Sequence, residues 1–198
     1  MAIGDRMQSL GKTVQPAQSV TLSINATNVY VQAFWITTFA VLTALGARFE
    51  IWQYPVPYTL QTMVVLLAGA FLGKRNGAIS QVLYLGIGAI GLPVFAAGGA
   101  LGIARLIGPT GGYLLAFPIA AFVVGYLIAN RKSYLGILAS MAAGLFIIFA
   151  MGTLHLHFFI LRDWMQAFTT GFLIFSWWDA LKLIAAAGIY HQFVRRES

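Results

Sequence analysis

An acid and a base lie three residues apart near the end of the chain, in the segment WWDALK at 177–182. On a helix this spacing places Asp179 and Lys182 on one face, where the two charges partly neutralise each other. The flanking residues are apolar, and a charge at the centre of a membrane helix costs about 2.5–3.5 kcal/mol on insertion scales. Two interpretations stay open: an ion pair that ties this helix to its neighbours, and a site that binds a polar ligand.

Other polar and aromatic residues are candidates for the same ligand site. Arg105 lies in the small-residue run GGALGIARLIGPTGGY, and Asp163 lies in a later connection. Each of these two charges is either solvated or able to contact a ligand. Trp35, Tyr54 and Tyr84 either line a pocket or belong to the interfacial aromatic belt that is typical of membrane proteins.

The segment GPTGGY at 108–113 concentrates three glycines and a proline in a mostly apolar part of the chain. A phosphate-binding loop would continue with G-K-[ST], and this segment does not, so it is not expected to bind ATP. The glycines permit a tight turn, and the backbone N–H groups of Gly111, Gly112 and Tyr113 could face a carboxylate at a helix N-terminus. A turn and a close approach to a ligand both remain open for this segment.

The sequence predicts neither catalysis nor a metal centre. No nucleophile–base pair is visible, so no residue is assigned a catalytic role and no enzyme activity is expected. Cysteine is absent, and His155 and His157 have no third ligand at close spacing, which argues against zinc. No cofactor is expected.

The composition indicates an integral membrane protein. Of 198 residues, 60% are hydrophobic and 9% are charged, and the mean hydropathy is +0.82. Soluble domains carry roughly 25% charged residues. A charged fraction of 9% is too small to cover the surface of a soluble domain. The net charge is +7, but the basic residues are scattered in short pairs, which argues against nucleic-acid binding.

Six apolar stretches predict a single all-α bundle of transmembrane helices. They span 30–48, 58–73, 77–96, 112–130, 134–153 and 170–191. No linker is long enough to divide them into two domains. Residues 30–198 are therefore expected to form one six-helix substrate-binding domain, preceded by a polar or amphipathic segment at 1–29.

The basic residues predict the orientation of the bundle. Pairs of Lys or Arg lie at 74–75, 131–132 and 195–196, and single ones lie at 6 and 12, all on one predicted face. Both termini are therefore expected in the cytoplasm, in a multi-pass plasma-membrane protein. The opposite connections, at about 49–57, 97–111 and 154–169, are long, which predicts a lid over a ligand site.

Ala40 and Ala44 form a flat stripe on the first predicted span. A stripe of this kind provides no stabilisation where it faces lipid, but where it faces another helix it permits close packing. Spacing alone does not tell whether that helix belongs to this chain or to a partner.

The order of four motifs resembles the BioY family of biotin-specific S components of energy-coupling-factor (ECF) transporters. The motifs are PVPYTLQTMVVLLAGAFLG, YLGIGAIGLPVFAAGG, GPTGGYLLAF and WWDALK, and the resemblance covers most of 55–190. It implies a prokaryotic six-helix bundle that binds biotin from outside and delivers it through a transmembrane coupling subunit and two ABC-type ATPases. It also implies that Ala40 and Ala44 dock against the coupling subunit.

The functional groups of biotin match the candidate ligand-site residues named above. Its carboxylate needs a cation, which Lys182 or Arg105 could supply, and its ureido N–H groups need an acceptor, which Asp179 or Asp163 could supply. The remaining candidates would supply rings or close backbone approach: Trp35, Tyr54, Tyr84, Gly111, Gly112 and Tyr113.

Three alternatives stay open at this point. The first is an S component for another vitamin, because details of the pocket set the substrate. The second is a stand-alone proton-coupled carrier, with Asp179 as proton relay. The third is an intramembrane enzyme that uses Asp163 and Asp179, which ranks last because no nucleophile–base pair is visible.

Overall fold

The computed structural model describes residues 28–51, 56–96, 100–173 and 177–196, most of which are helical. The first helix, α1 (Val29–Arg48), coincides with the predicted span 30–48. It is capped by Asn28, whose side-chain oxygen accepts a hydrogen bond from the backbone N–H of Tyr30 at 2.9 Å. This cap satisfies one of the N–H groups that the first helical turn leaves unpaired. The predicted N-terminal segment, apart from its last two residues, lies outside the described part of the chain.

Two short strands follow α1. β1 (Glu50–Ile51) pairs antiparallel with β2 (Tyr58–Thr59), and Glu50 lies opposite Thr59. The second predicted span was therefore wrong at its start, because 58–59 belong to a strand and the helix begins only at Gln61. The first of the three long connections, predicted at about 49–57, thus contains β1 and is followed directly by β2.

The next helix, α2 (Gln61–Ala89), is a helical hairpin. Gly73 interrupts it with φ 74° and ψ 175°, a conformation that glycine adopts because it has no Cβ. The side chains of Gln61 and Tyr84 are hydrogen-bonded across the hairpin at 2.5 Å. Segments 61–72 and 74–89 therefore lie side by side and antiparallel, with a turn where the sequence predicts one.

The second arm of the hairpin is shorter than predicted. The predicted span 77–96 was wrong at its end, because the helix stops at Ala89. Gly91 has a left-handed φ of 98°, and Pro93 cannot continue a helix. The chain then turns back, and the Pro93 carbonyl accepts a hydrogen bond from the Arg48 guanidinium at the end of α1.

The rest of the bundle consists of three long helices and two short ones. In chain order they are α3 (Ile103–Ile107), α4 (Gly111–Ile128), α5 (Tyr134–His155) with a π-helical extension at Leu156–Leu161, α6 (Trp164–Ala167) with a π-helical extension at Phe168–Phe172, and α7 (Trp177–Arg196). The second and third predicted outer connections thus contain short helices. The sixth predicted span, 170–191, was wrong at its start, since 170–172 belong to the π-helical turn before α7.

Three helices in the described part of the chain are long and apolar enough to cross a membrane: Val29–Arg48, Gly111–Ile128 and Tyr134–Leu161. A fourth crossing results if Trp164–Phe172 and Trp177–Arg195, which are bent by 47°, form one broken span. Segments 61–72 and 74–89 are each shorter than the ~20 residues of a full crossing. The count of six transmembrane helices therefore stays a prediction.

Glycines let α2, α4 and α5 pack closely. A Cβ on Gly69 would overlap the carbonyl oxygen of Ala121 in α4. A Cβ on Gly144 in α5 would overlap the side chain of Val124 in the same way. Because lipid tails are as apolar as leucine, close contact between backbones is a main source of helix association in a membrane.

Replacement of Gly69 by alanine should destabilise the bundle, because the added methyl group meets a backbone oxygen that moves only if α4 moves. Overpacking of this kind costs about 1–3 kcal/mol. The matched control is Gly86→Ala in the same hairpin, since a Cβ on Gly86 meets open space. Thermal unfolding in detergent should give a lower Tm for Gly69→Ala only; equal Tm values for the two variants would contradict the packing.

Candidate functional site

Asp179 and Lys182 form a buried ion pair near the start of α7. Lys182 Nζ lies 2.6 Å from Asp179 Oδ1, and the lysine and aspartate side chains are 5% and 2% exposed. Lys182 also donates to the Thr59 carbonyl and to Thr62 Oγ1, both at 2.8 Å. All three N–H bonds of the ammonium group are thus engaged within the protein. The pair ties α7 to β2 and to the first turn of α2.

A cavity of about 60 Å³ lies beside this ion pair. Strand β2, the start of α2, the α3–α4 connection, α5 and α7 all contribute to its wall. Its polar lining consists of Thr59, Gln61, Thr62, Arg105, Thr110, Asp179 and Lys182. Its aromatic lining consists of Tyr58, Phe95, Tyr113, Phe117 and Phe149.

Arg105 is the cation in this lining that keeps a donor available. It lies in α3, at the cavity, and is 8% exposed. Its Nε atom is buried and has no hydrogen-bond partner among the described residues. Burial lowers the pKa of the Arg105 guanidinium below its ordinary value, and the carboxylate of Glu50 opposes that shift. A buried guanidinium with an unused donor suits a carboxylate ligand.

Aromatic rings form the apolar side of the cavity. Phe117 belongs to α4, Phe149 to α5, and Phe95 follows α2. Tyr113 also lines the cavity, and its hydroxyl donates to the Gly171 carbonyl at 2.9 Å. Flat apolar rings of this kind suit a rigid ring system in the ligand.

Tyr84 lies behind the cavity and does not line it. Its ring packs edge-on against Phe95, with 5.5 Å between the ring centroids. Its hydroxyl accepts from Gln61 and donates to the Val94 carbonyl, the latter at 3.3 Å. Tyr84 therefore positions two lining residues, Phe95 and Gln61.

Gly111 and Gly112 are buried at the start of α4 and are not among the residues that line the cavity. A Cβ on Gly111 would overlap the Leu106 carbonyl, and a Cβ on Gly112 would overlap His155. The His155 ring in turn donates to the Gly108 carbonyl at 3.1 Å. In this structure the two glycines therefore let the α3–α4 connection pack against the end of α5.

Three further candidates lie elsewhere. Trp35 is half-buried on α1, where its ring contacts Phe34. Asp163 is exposed, and its side chain caps α6 by accepting from the backbone N–H of Gln166 at 3.1 Å. Tyr54 lies outside the described residues. The residues that the structure describes contain no group of three or more His, Asp or Glu side chains that could hold a metal ion.

Ala40 and Ala44 have different surroundings. Ala40 is 2% exposed and packs inside the bundle, whereas Ala44 is half-buried. Both line a shallow groove between α1 and the second arm of α2, with Val41 and Leu45 exposed beside them. An internal contact therefore accounts for Ala40, and docking to a partner stays a prediction.

The sequence analysis missed several polar groups that line the cavity. Thr59, Gln61 and Thr62 all lie in the motif PVPYTLQT, and Thr110 lies in GPTGGY. The sequence did contain a pattern that could have identified these residues. They are polar side chains that interrupt apolar stretches beside two of the connections that were expected to form a lid. Only the fold shows that both connections meet Asp179.

The sequence also matches a known family along most of its length. The sequence model of the BioY family matches residues 17–198. The chain belongs to the BioY family. Membership confirms the resemblance found in the four motifs, and it confirms that the chain is a transporter component and not an enzyme.

Named relatives of this BioY-family chain include biotin transporters. The biotin transporter BioY of Thermotoga maritima is 44% identical over 151 residues, which cover 75% of this chain and 87% of that one. The biotin transporter BioY2 of Lactococcus lactis is 40% identical over 147 residues, which cover 73% and 78%. A crystal structure of the S-component for biotin from an ECF-type ABC transporter matches with a TM-score of 0.75 and 26% identity, covering 84% of this chain and 91% of that one.

Loss of one partner of the ion pair should cost this BioY-family chain more stability than loss of both. Lys182→Met removes the cation that faces the buried Asp179 at 2.6 Å, and breaking a buried pair in this way costs about 3–5 kcal/mol. The double variant Asp179→Asn/Lys182→Met removes both charges at similar volume and should recover part of that loss. Thermal unfolding of the ligand-free protein in detergent compares them, and a double variant with a lower Tm than Lys182→Met would contradict the pairing.

Proposed function

We propose that this chain is the biotin-binding S component of an ECF-type ABC transporter and takes part in biotin uptake across the plasma membrane of a prokaryote. The observation that carries the proposal is the meeting of Arg105, Asp179 and several aromatic rings at one cavity. Membership of the BioY family and similarity to proteins named as biotin transporters support it.

The polar groups of the cavity match those of biotin. The carboxylate of biotin pairs with Arg105, because Lys182 already uses its three N–H groups within the protein. Asp179 accepts from the ureido N–H groups, since a carboxylate has lone pairs for more than one donor. The Thr110 hydroxyl is buried and has no partner among the described residues, so it is available to the ligand as well. The fused rings of biotin pack against Phe117 and its aromatic neighbours.

Entry of biotin requires the lid to open. The cavity of about 60 Å³ is smaller than the ~300–1,000 Å³ of typical ligand sites. The lid comprises β1, β2, α3 and the connection from α5 to α7. Lys182 holds β2 down through the Thr59 carbonyl, so we expect this hydrogen bond to break when the lid opens.

Six membrane helices are proposed: α1, the two arms of α2, α4, α5 and α7. Gln32 near the start of α1 and Tyr190 near the end of α7 line one groove together with the 73–76 turn. This juxtaposition supports placing both termini on the same side of the membrane. The basic pairs at that end favour the cytoplasm.

The energy for transport is proposed to come from other subunits. The sequence has no phosphate-binding motif, so two ABC-type ATPases would act through a transmembrane coupling subunit. The coupling subunit would dock along α1, where Ala44 and the exposed Val41 and Leu45 border a groove. The remaining partner is the lipid bilayer, and no role in nucleic-acid binding is proposed.

Replacement of Arg105 by glutamine should weaken biotin binding about tenfold or more, because a charge-assisted hydrogen bond in a buried site is lost. Binding of biotin amide, in which the carboxylate is replaced by a neutral amide, should change little. Isothermal titration of the detergent-purified chain with both compounds measures the difference. The matched control is Arg162→Gln, which removes an exposed cation of the third connection and should leave both affinities unchanged.

Equal losses for biotin and biotin amide in Arg105→Gln would contradict the pairing with the carboxylate. A loss confined to biotin in Lys182→Met, with none in Arg105→Gln, would assign the carboxylate to Lys182. Tight binding of a different vitamin in the same titration would favour an S component of another specificity. Uptake into vesicles that contain this chain alone, driven by a proton gradient, would favour the stand-alone carrier.

A further inference from the structure

A groove of about 820 Å³ lies at the end of the bundle opposite the cavity. We call it the basic groove, because Lys74, Arg75 and Arg131 line it. It runs between the turn at 73–76 and the turn at 128–131. It shares no lining residue with the cavity beside Asp179, so it is a separate feature of the molecule.

Among the described residues, the wall of the basic groove contains no Asp or Glu that could balance its positive charge. Both turns belong to the long stretch between Glu50 and Asp163, in which the sequence has no acidic residue. Lys74 lies over the ring of Tyr126, 5.4 Å from its centroid, a contact that keeps the ammonium charge beside the groove. Three cations without acids in one concave site raise the local potential and favour an anion.

Apolar side chains share the basic groove with the cations. Tyr126 and Leu127 at the end of α4 line it and are 62% and 36% exposed, whereas Ala70, Leu72 and Ile128 in its wall are buried. A free inorganic anion would contact only the charged part of this wall. An amphipathic anion, with a phosphodiester joined to a glycerol and acyl chains, would contact both parts.

We propose that the basic groove binds the headgroup of an anionic phospholipid, with phosphatidylglycerol as the simplest example. Juxtamembrane basic residues attract anionic lipids, and basic pockets between membrane helices bind their headgroups. The phosphate accepts from Arg75 and Arg131, and the glycerol backbone lies against the exposed Tyr126 and Leu127. The proposal does not depend on biotin, because the two sites are built from different residues.

Native mass spectrometry of the detergent-purified full chain, titrated with phosphatidylglycerol, tests the proposal. Arg75→Gln/Arg131→Gln should weaken binding about tenfold or more, since each basic residue close to the phosphate contributes. The matched control, Lys132→Gln/Arg195→Gln, removes two charges from the same end of the bundle outside the groove wall and should change binding by less than about twofold. Similar weakening in both double variants would overturn the proposal, because it would indicate attraction to the whole surface.

Two further arms locate the ligand and identify its class. Ala129→Trp fills the groove without a change of charge and should also weaken phosphatidylglycerol binding; unchanged binding in a variant with the wild-type Tm would overturn the site. For the wild-type chain, zwitterionic phosphatidylcholine should bind at least about tenfold more weakly than phosphatidylglycerol. Equal binding of the two lipids, or displacement of phosphatidylglycerol by millimolar inorganic phosphate, would overturn the lipid assignment.

Discussion

The hydrogen-bonded ion pair between Lys182 and Asp179 is the constraint on which the closed end of the bundle depends. A lone charge inside a membrane protein is costly, and this pair reduces the cost because each charge faces the other at 2.6 Å. The ammonium group completes its bonding with the Thr59 carbonyl and the Thr62 hydroxyl. One side chain of α7 therefore holds β2 and the first turn of α2. Because Lys182 is satisfied in this way, Arg105 is the cation of the cavity lining that keeps an unused donor among the described residues.

The two ends of the bundle use charge differently. The charged side chains that line the cavity are few, buried and surrounded by aromatic rings, an arrangement that favours one specific small ligand over many weak ones. At the opposite end, exposed cations line a wide groove that has no Asp or Glu among its described lining residues. Between the two ends, helix association relies on close packing instead of charge, because glycines such as Gly69 and Gly144 let neighbouring helices approach each other. The two proposed sites, for biotin at one end and for an anionic lipid at the other, therefore share no lining residue.

Sequence reasoning predicted the parts of the fold and site that depend on local spacing. Asp179 and Lys182 meet because residues three apart share a helix face, and the Gly73 turn follows from a glycine between two apolar stretches. Arg105 was recognised because a long cation stood out in a run of small residues. The start of the second span and the end of the third were wrong, because strand pairing at 58–59 and the reversal after Ala89 depend on tertiary contacts.

The rest of the site could not be predicted because it depends on which helix faces which. Trp35 was a candidate because of its residue type, but no residue of α1 is among the described residues that line the cavity. Gly111 and Gly112 were predicted to form a turn or to let the backbone approach a ligand; in the structure their close neighbours are His155 and the backbone of α3. Thr59 and Gln61 line the cavity only because β2 contacts α7, a contact that the sequence does not show.

Equilibrium dialysis of the purified wild-type chain against tritiated biotin tests the central claim most directly. The proposal predicts saturable binding of one biotin per chain, displaced by unlabelled biotin and abolished when the lid is held shut by a cross-link between β2 and α7. Absence of saturable binding by the folded chain would contradict the proposal, as would binding that the cross-link leaves unchanged.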